Sequence, residues 1–199
     1  MSSTKGPKIE DLKRENDLLF EAFRKESDRG VALVAAAFFD ATLERLLRAR
    51  FSSRGNKTVG LMEPLFDVFG PLSTFSSKIR VSYAIDLVQD WMACDLDLIR
   101  RIRNEFSHSL EPMTFRNSRI TGMVDQLAGF AKALQSISGT KAKDGAVLDL
   151  AKFPEDMRSR FKFDVTCSRI GALLQAKVVV QESDAPDEEK RRFMTTTAL

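Results

Sequence analysis

A long apolar segment near the N-terminus constrains the fold more than any other part of the sequence. Residues 28–51 read DRGVALVAAAFFDATLERLLRARF, and the nine residues from Val31 to Phe39 are all apolar. A helix without a polar face must be covered on most sides, so we expect this segment to be the central helix of a bundle, with Asp28 as its N-cap. Nine apolar residues are too few for a membrane span, which needs about 20.

Helical periodicity continues along the chain, and no segment alternates with the period of two that strands show. Further helices are predicted at residues 9–26, 59–66, 76–87, 90–107, 117–136 and from Pro154 to about Val180. Composition predicts loops at 52–57 and at Gly70-Pro71, and a flexible linker at about 139–152. The sequence therefore predicts an all-α protein with a single helical-bundle domain of five or six helices over residues 1–181.

Charge and composition exclude several classes of protein. The last 18 residues contain five acidic and three basic side chains and few apolar ones, which predicts a disordered tail at 182–199. The net charge of +3 is small for a protein that reads duplex DNA.

The N-terminal residues lack the apolar block of an export signal, so we predict a cytoplasmic protein. Cys94 and Cys167 lack zinc-ligand spacing, and we predict no disulfide, metal or cofactor.

An arginine lies within the apolar stripe of the helix predicted at 90–107. Arg103 falls at helical spacing between Ile99 and Phe106. A buried guanidinium requires a carboxylate, a backbone acceptor or a phosphate as its partner. The candidate internal partners are the acids of the central helix, namely Asp28, Asp40 and Glu44. Because Asp40 interrupts an apolar run as Arg103 does, we expect a buried ion pair between the two helices; an external anion is the alternative.

The only histidine, His108, follows Arg103 by five residues. The spacing R-N-x-x-x-H resembles the R-x4-6-H motif of HEPN domains, helical modules of which many are metal-independent ribonucleases that act as dimers. That resemblance implies that Arg103 contacts phosphate, His108 transfers a proton and Asn104 orients them. Residues five apart on a helix point about 140° apart, so the two side chains converge only if the helix ends near Phe106 or a second subunit completes the site. Otherwise His108 caps the last carbonyls of the helix.

Three longer blocks of sequence resemble a known family. They are ESDRGVALVAAAFFDATLERLLR from Glu26, GPLSTFSSKIRVSYAIDL from Gly70 and DLDLIRRIRNEFSHS from Asp95. The chain is similar in these blocks to the mannitol operon repressor (MtlR-like) family. The resemblance implies a small all-helical regulator of a sugar-alcohol operon, whose signature positions here are Glu26, Ser27, Asp28, Arg29, Gly30, Asp40, Phe75, Ser76, Arg103, Asn104, Phe106 and His108.

The leading functional hypothesis is a non-enzymatic negative regulator of transcription of this type. The residues expected to bind a partner or to hold the structure together are Glu26, Asp28, Arg29, Asp40 and Arg103. Without an evident DNA-reading motif, such a repressor acts through a protein partner, for example a transcription activator. A homodimer is also predicted, because the central helix is apolar on more faces than one small bundle covers. The alternative is a toxin-like HEPN ribonuclease that binds RNA and cuts it with Arg103, Asn104 and His108.

Overall fold

The computed structural model describes residue 18 and residues 21–52, 59–139, 154–183 and 186–196. Residues 21–25 are helical, and longer helices follow. They are α1 (Asp28–Ser52), α2 (Val59–Phe66), α3 (Phe75–Ala84), α4 (Asp90–His108), α5 (Ser118–Val124), α6 (Ala128–Gly139), α7 (Glu155–Glu182) and α8 (Asp187–Thr196). The described residues contain no strand, and the all-α prediction is confirmed. The predicted linker at 139–152 lies almost wholly outside the described residues, as does most of the helix predicted at 9–26.

The central helix α1 is built as its apolar sequence predicts. Its buried side chains are Val31, Ala32, Ala35, Ala36, Phe39, Leu43, Leu46 and Leu47. The helix packs most extensively against α7 and α4, and also against α3. One stripe of α1, consisting of Leu33, Ala37 and Ala41, remains exposed. A homodimer that covers this stripe therefore stays a prediction. No helix in the described part of the chain is both long and apolar enough to cross a membrane.

The first turn of α1 is capped by Ser27, and the prediction of Asp28 as the cap is wrong. The Ser27 hydroxyl accepts a hydrogen bond from the Gly30 N–H at 3.1 Å. Asp28 is already helical, and its carboxylate is engaged in tertiary contacts instead. A Cβ at position 30 would collide with Oε2 of Glu26, so glycine leaves room for this acid over the positive end of the helix.

Helix α3 is shorter than predicted because its C-terminus is closed by a left-handed residue. Asp86 has a φ of 59°, and the next N–H, that of Leu87, donates to the Ser82 carbonyl at 2.8 Å. This is the bonding pattern of a Schellman motif, which satisfies the last carbonyls of a helix. The helix therefore ends at Ala84 rather than at Leu87. Its N-cap is Thr74, whose side chain accepts from Ser77, and not the predicted Ser76 or Ser77.

The segment predicted as one helix at 117–136 forms two, α5 and α6. An acid from α4, Asp95, accepts the N–H groups of Ala128 at 2.9 Å and of Gly129 at 2.7 Å. Asp95 is 1% exposed, so these bonds are shielded from water. A Cβ at Gly129 would collide with Thr166 of α7 and touch Asp95, which explains the glycine as a site of close approach. The first turn of α6 is thus capped by a residue distant in sequence.

The C-terminal segment contains a helix where disorder was predicted. Helix α8 packs on the end of α7, with the Met194 side chain 4% exposed and Lys190 7% exposed. The prediction of a disordered tail over 182–199 is therefore wrong for residues 187–196, because α7 offers buried positions that composition does not reveal. Residues 197–199 lie outside the described residues.

Candidate functional site

The signature acid Asp28 belongs to a charged cluster that joins three parts of the chain. Its Oδ1 lies 2.7 Å from Nη1 of Arg160 on α7, and its Oδ2 accepts the Phe115 N–H at 2.9 Å. Arg160 also donates to Asp164 at 3.0 Å and to the Phe23 carbonyl at 2.7 Å. The side chains of Arg160, Asp28 and Asp164 are 20–27% exposed. This cluster fixes the start of α1 against α7 and the segment before α5.

The neighbouring signature residue Arg29 holds the same end of α1 to the segment after α4. Its Nη2 donates to the Ser109 carbonyl at 2.8 Å and to the Glu111 carbonyl at 3.2 Å. These carbonyls follow the last turn of α4 and are not used within that helix. Arg29 therefore joins the start of α1 to the segment after α4, as Asp28 joins it to α7 and to Phe115. The Glu26 side chain is exposed above the first turn of α1.

Burial of Asp164 within the cluster predicts a measurable pH dependence. Burial raises the pKa of Asp164 to about 6, more than the attraction of Arg160 lowers it, and the charge of Asp28 adds to the rise. The native state then binds a proton that the unfolded state releases near pH 4, so its stability falls as the pH rises from 4 to 6. We expect the wild type to lose roughly 2 kcal/mol relative to Asp164→Asn between pH 4 and 7, after allowance for solvent screening. Urea unfolding at both pH values measures this; a constant difference would contradict it.

The signature acid Asp40 pairs with a lysine of α3. Lys78 is 4% exposed, and its Nζ lies 2.9 Å from Oδ1 of Asp40 and 2.8 Å from Oε2 of Glu44. Glu44 also accepts from Arg48 at 2.9 Å. Although burial alone would lower it, these two carboxylates raise the pKa of Lys78 above its ordinary value.

The predicted ion pair between Arg103 and Asp40 is therefore wrong. Asp40 and Glu44 are bound to Lys78, and Asp28 is bound to Arg160. The physical reason is that α3 supplies a buried cation to the acidic side of α1. Nε of Arg103 is shielded from solvent without a hydrogen-bond partner in the described part of the chain, although the residue as a whole is half-buried. An external anion as the partner of Arg103 stays a prediction.

The structure does not bring Arg103 and His108 together within one chain. Helix α4 continues to His108 without a break, so the two side chains point to different sides of the helix. His108 is exposed at the last helical position, and Asn104 is half-buried. Of the two conditions for convergence, an end of the helix near Phe106 is not met, and completion by a second subunit is untested. The ribonuclease alternative stays a prediction.

An exposed apolar turn between α2 and α3 was missed by sequence reasoning. Val68 is 83% exposed and Phe69 is 100% exposed. The turn is held by a hydrogen bond from the Gly70 N–H to the Asp67 carbonyl at 2.7 Å. A Cβ at Gly70 would collide with the backbone carbonyls of α2, so the close approach requires glycine. We name residues 67–70 the apolar turn. Its signal in the sequence is two large apolar residues directly before Gly70-Pro71.

Comparison with known proteins places these sites in context. The sequence model of the family described as "MtlR: Mannitol repressor" matches residues 14–171. In the X-ray structure of the MtlR–HPr complex from Escherichia coli, the similar chain has a TM-score of 0.58 and 18% identity, covering 78% of this chain and 98% of that one. A possible transcriptional regulator, YggD from Shigella flexneri 2a str. 2457T, has a TM-score of 0.60 and 14% identity, over 82% and 98%. No curated protein sequence matches the chain.

Proposed function

Because this chain belongs to the mannitol repressor family, we propose that it represses transcription by binding a protein partner of the HPr type at the apolar turn. The regulatory role follows from the family, and contact between proteins is its mode of action. The similar chain from Escherichia coli was solved as a complex with HPr. That complex supports an HPr-like protein as the partner here. The binding of a transcription activator as a further partner stays a prediction.

The observation that carries this proposal is the full exposure of Phe69. Burying a phenylalanine side chain in a partner is worth about 1.5–3 kcal/mol of binding free energy. Because the turn is already held by backbone hydrogen bonds, little conformational entropy is lost when a partner covers it. Aromatic side chains that enter a partner's pocket commonly dominate the energy of an interface. Phe69, with Val68 beside it, has the exposure and the rigidity of such an anchor.

The charge of the chain supports a protein partner over DNA. The net charge is +3, with 31 basic and 28 acidic side chains. Affinity for duplex DNA depends on neutralising many phosphates and releasing their counterions. Several of the basic side chains are also engaged within the fold, as in the pairs Arg160–Asp28 and Arg48–Glu44. In the part of the chain that the structure describes, these paired side chains are not free to follow a phosphate backbone.

Replacing Phe69 with serine is expected to weaken binding of HPr at least tenfold. The variant removes the anchor without disturbing the fold, since the side chain is fully exposed. The measurement is isothermal titration calorimetry with HPr from the organism that encodes this chain, together with the melting temperature, which we expect to stay unchanged. The matched control is Leu110→Ser, because Leu110 is equally exposed but lies after α4.

Two outcomes would contradict different parts of this proposal. Unchanged affinity of Phe69→Ser, with a loss in Leu110→Ser, would move the binding surface away from the apolar turn. If the wild-type protein does not bind HPr at all, HPr is not the partner. Failure of both wild type and variants to repress a reporter operon in cells would contradict the repressor role itself.

A further inference from the structure

The last two helices, α7 and α8, form a hairpin that buries the side chain of Lys177 between them. Helix α8 follows α7 after a short connection and runs back along its final turns, so that Met194 lies beside Lys177. Lys177 is 0% exposed, and its Nζ donates to the Met194 carbonyl at 2.7 Å. The other buried lysine of this hairpin, Lys190 of α8, donates to the Gln181 carbonyl at 3.2 Å. Each helix thus places an ammonium group at the last turn of the other, where the helix dipole favours a cation.

Lys177 is a costly residue to bury at this position. In the part of the chain that the structure describes, no carboxylate lies within ion-pair distance of its Nζ. An ammonium group bound to a carbonyl and a thioether sulfur, as Lys177 is to those of Met194, loses most of its hydration without gaining an opposite charge. Burial accordingly lowers the pKa of Lys177 to about 8. The free-energy cost of burying Lys177 disappears when α8 moves away and water solvates the ammonium group.

The covering helix α8 buries few apolar side chains against the rest of the bundle. Among its described side chains, Lys190 and Met194 are buried, Phe193 is half-buried, and the acidic first turn of Asp187, Glu188 and Glu189 is exposed. Segments with few buried apolar contacts open at low free energy while the rest of a fold stays closed. Helix α8 also lies beyond residue 171, where the match to the family ends. It packs on the end of α7 through hydrogen bonds from Lys177 and Lys190 to backbone carbonyls and through the buried side chain of Met194.

We propose that α8 is a reversible clasp, which closes over Lys177 of α7 and opens to expose it while the rest of the bundle stays folded. This inference goes beyond the proposed function and does not depend on the apolar turn. The open form exposes the ammonium group of Lys177 to solvent at the end of the bundle. Deprotonation of Lys177 favours the closed form, because only the closed form pays for the buried charge.

The other charged groups around this contact come from α7 and α8 themselves, from α1 and from the turn after α3. The grooves on either side of α8 contain Lys190 and Arg191 of α8, Glu182 of α7, Arg45 and Arg50 of α1, and Asp86. Arg45 is paired with Glu182 at 2.8 Å. Aspartate, glutamate and arginine do not change charge between pH 7 and 9 at ordinary pKa values. A pH dependence of closure between pH 7 and pH 9 is therefore assigned to Lys177, the lysine that the contact buries most completely. The variant Lys177→Met tests this assignment.

Trypsin tests the clasp, because Lys190, Arg191 and Arg192 are cleavage sites within α8. Cleavage there requires α8 to open, and its rate reports the open fraction when closing is fast. Rates in the full chain are divided by those of a synthetic peptide of residues 184–199 at the same pH. With the pKa of Lys177 about 8 when closed and 10.5 when exposed, we expect the normalised rate to fall roughly tenfold from pH 7 to pH 9. Intact mass identifies the C-terminal cuts.

The variant Lys177→Met removes the charge and keeps the volume. It should slow cleavage in α8 at pH 7 by roughly tenfold or more and abolish the pH dependence. The matched control is Lys162→Met, because Lys162 lies on the same helix but is paired with Asp125. This variant should be cleaved in α8 at the wild-type rate. A normalised wild-type rate that does not change with pH, or wild-type cleavage in Lys177→Met, would overturn the proposal. So would cleavage as fast as the free peptide, or no cleavage at any pH.

Discussion

Replacing Lys78 with alanine is expected to lower the free energy of unfolding by about 3 kcal/mol. The substitution leaves Asp40 and Glu44 facing each other without the ammonium group that lies within 2.9 Å of both. Removing one partner of a buried ion pair costs about 3–5 kcal/mol, because the remaining charge stays unsolvated. We place the loss at the lower end, since the two carboxylate side chains are 35% and 30% exposed and water screens part of their repulsion.

Urea unfolding followed by circular dichroism at pH 7 measures this loss. The matched control is Arg80→Ala, on the same helix α3 but exposed, which we expect to stay within about 0.5 kcal/mol of wild type. In the double variant Lys78→Ala with Asp40→Asn, one unpaired acid is gone, so the total loss should be smaller than the sum of the single losses. A loss in Lys78→Ala no greater than that of Arg80→Ala would show that the ion pairs contribute little.

The apolar sequence of α1 was enough to predict the centre of the fold. A helix with buried residues from Val31 to Leu47 must be enclosed, and in this protein α3, α4 and α7 enclose it. The details of its first turn were not predictable in the same way. Ser27 and Asp28 are both favourable N-cap residues. Which of them caps the helix was decided by Arg160, 132 residues away, which binds the Asp28 carboxylate.

The requirement of Asp40 for a cation was predicted correctly, but its partner was not. Periodicity shows that an acid sits in an apolar helix; it does not show which neighbouring helix lies against that acid. Lys78 could have been considered on the same ground as Arg103, because it lies at helical spacing from the buried residues Phe75 and Ser82 of α3. The distinction depends on how the helices are arranged, which is a property of the whole packing.

The prediction for the C-terminal tail failed for a related reason. Composition measures how much apolar area a segment can bury on its own, and residues 187–196 contain little. Met194 is nevertheless buried, because the end of α7 already provides a surface that receives it. The exposed apolar turn was missed for the opposite reason, because Val68 and Phe69 are apolar residues that lie outside the core. In both segments the environment comes from other parts of the chain.

Replacing Asp95 with alanine is also expected to destabilise the protein by about 3 kcal/mol. The carboxylate is 1% exposed and accepts the first N–H groups of α6, from Ala128 and Gly129. In Asp95→Ala both donors remain without an acceptor, Gly129 buried and Ala128 half-buried, and a buried donor without an acceptor costs about 1–3 kcal/mol. Burial raises the pKa of Asp95 despite these two bonds, so the charge of the carboxylate is itself unfavourable there. Removing this charge in Asp95→Ala offsets part of the cost of the unpaired donors.

Two further variants separate the cap from the charge. Asp95→Asn removes the charge but keeps one acceptor oxygen, so we expect a loss of about 1–2 kcal/mol, between those of wild type and alanine. Asp97→Ala, on the same helix but with a 43% exposed side chain in an i,i+3 pair with Arg100, should change stability by less than about 0.5 kcal/mol. Amide hydrogen exchange should also accelerate first in α6 of Asp95→Ala, because its first turn loses its cap. Equal losses in Asp95→Ala and Asp97→Ala would mean that α6 does not depend on α4 for its start.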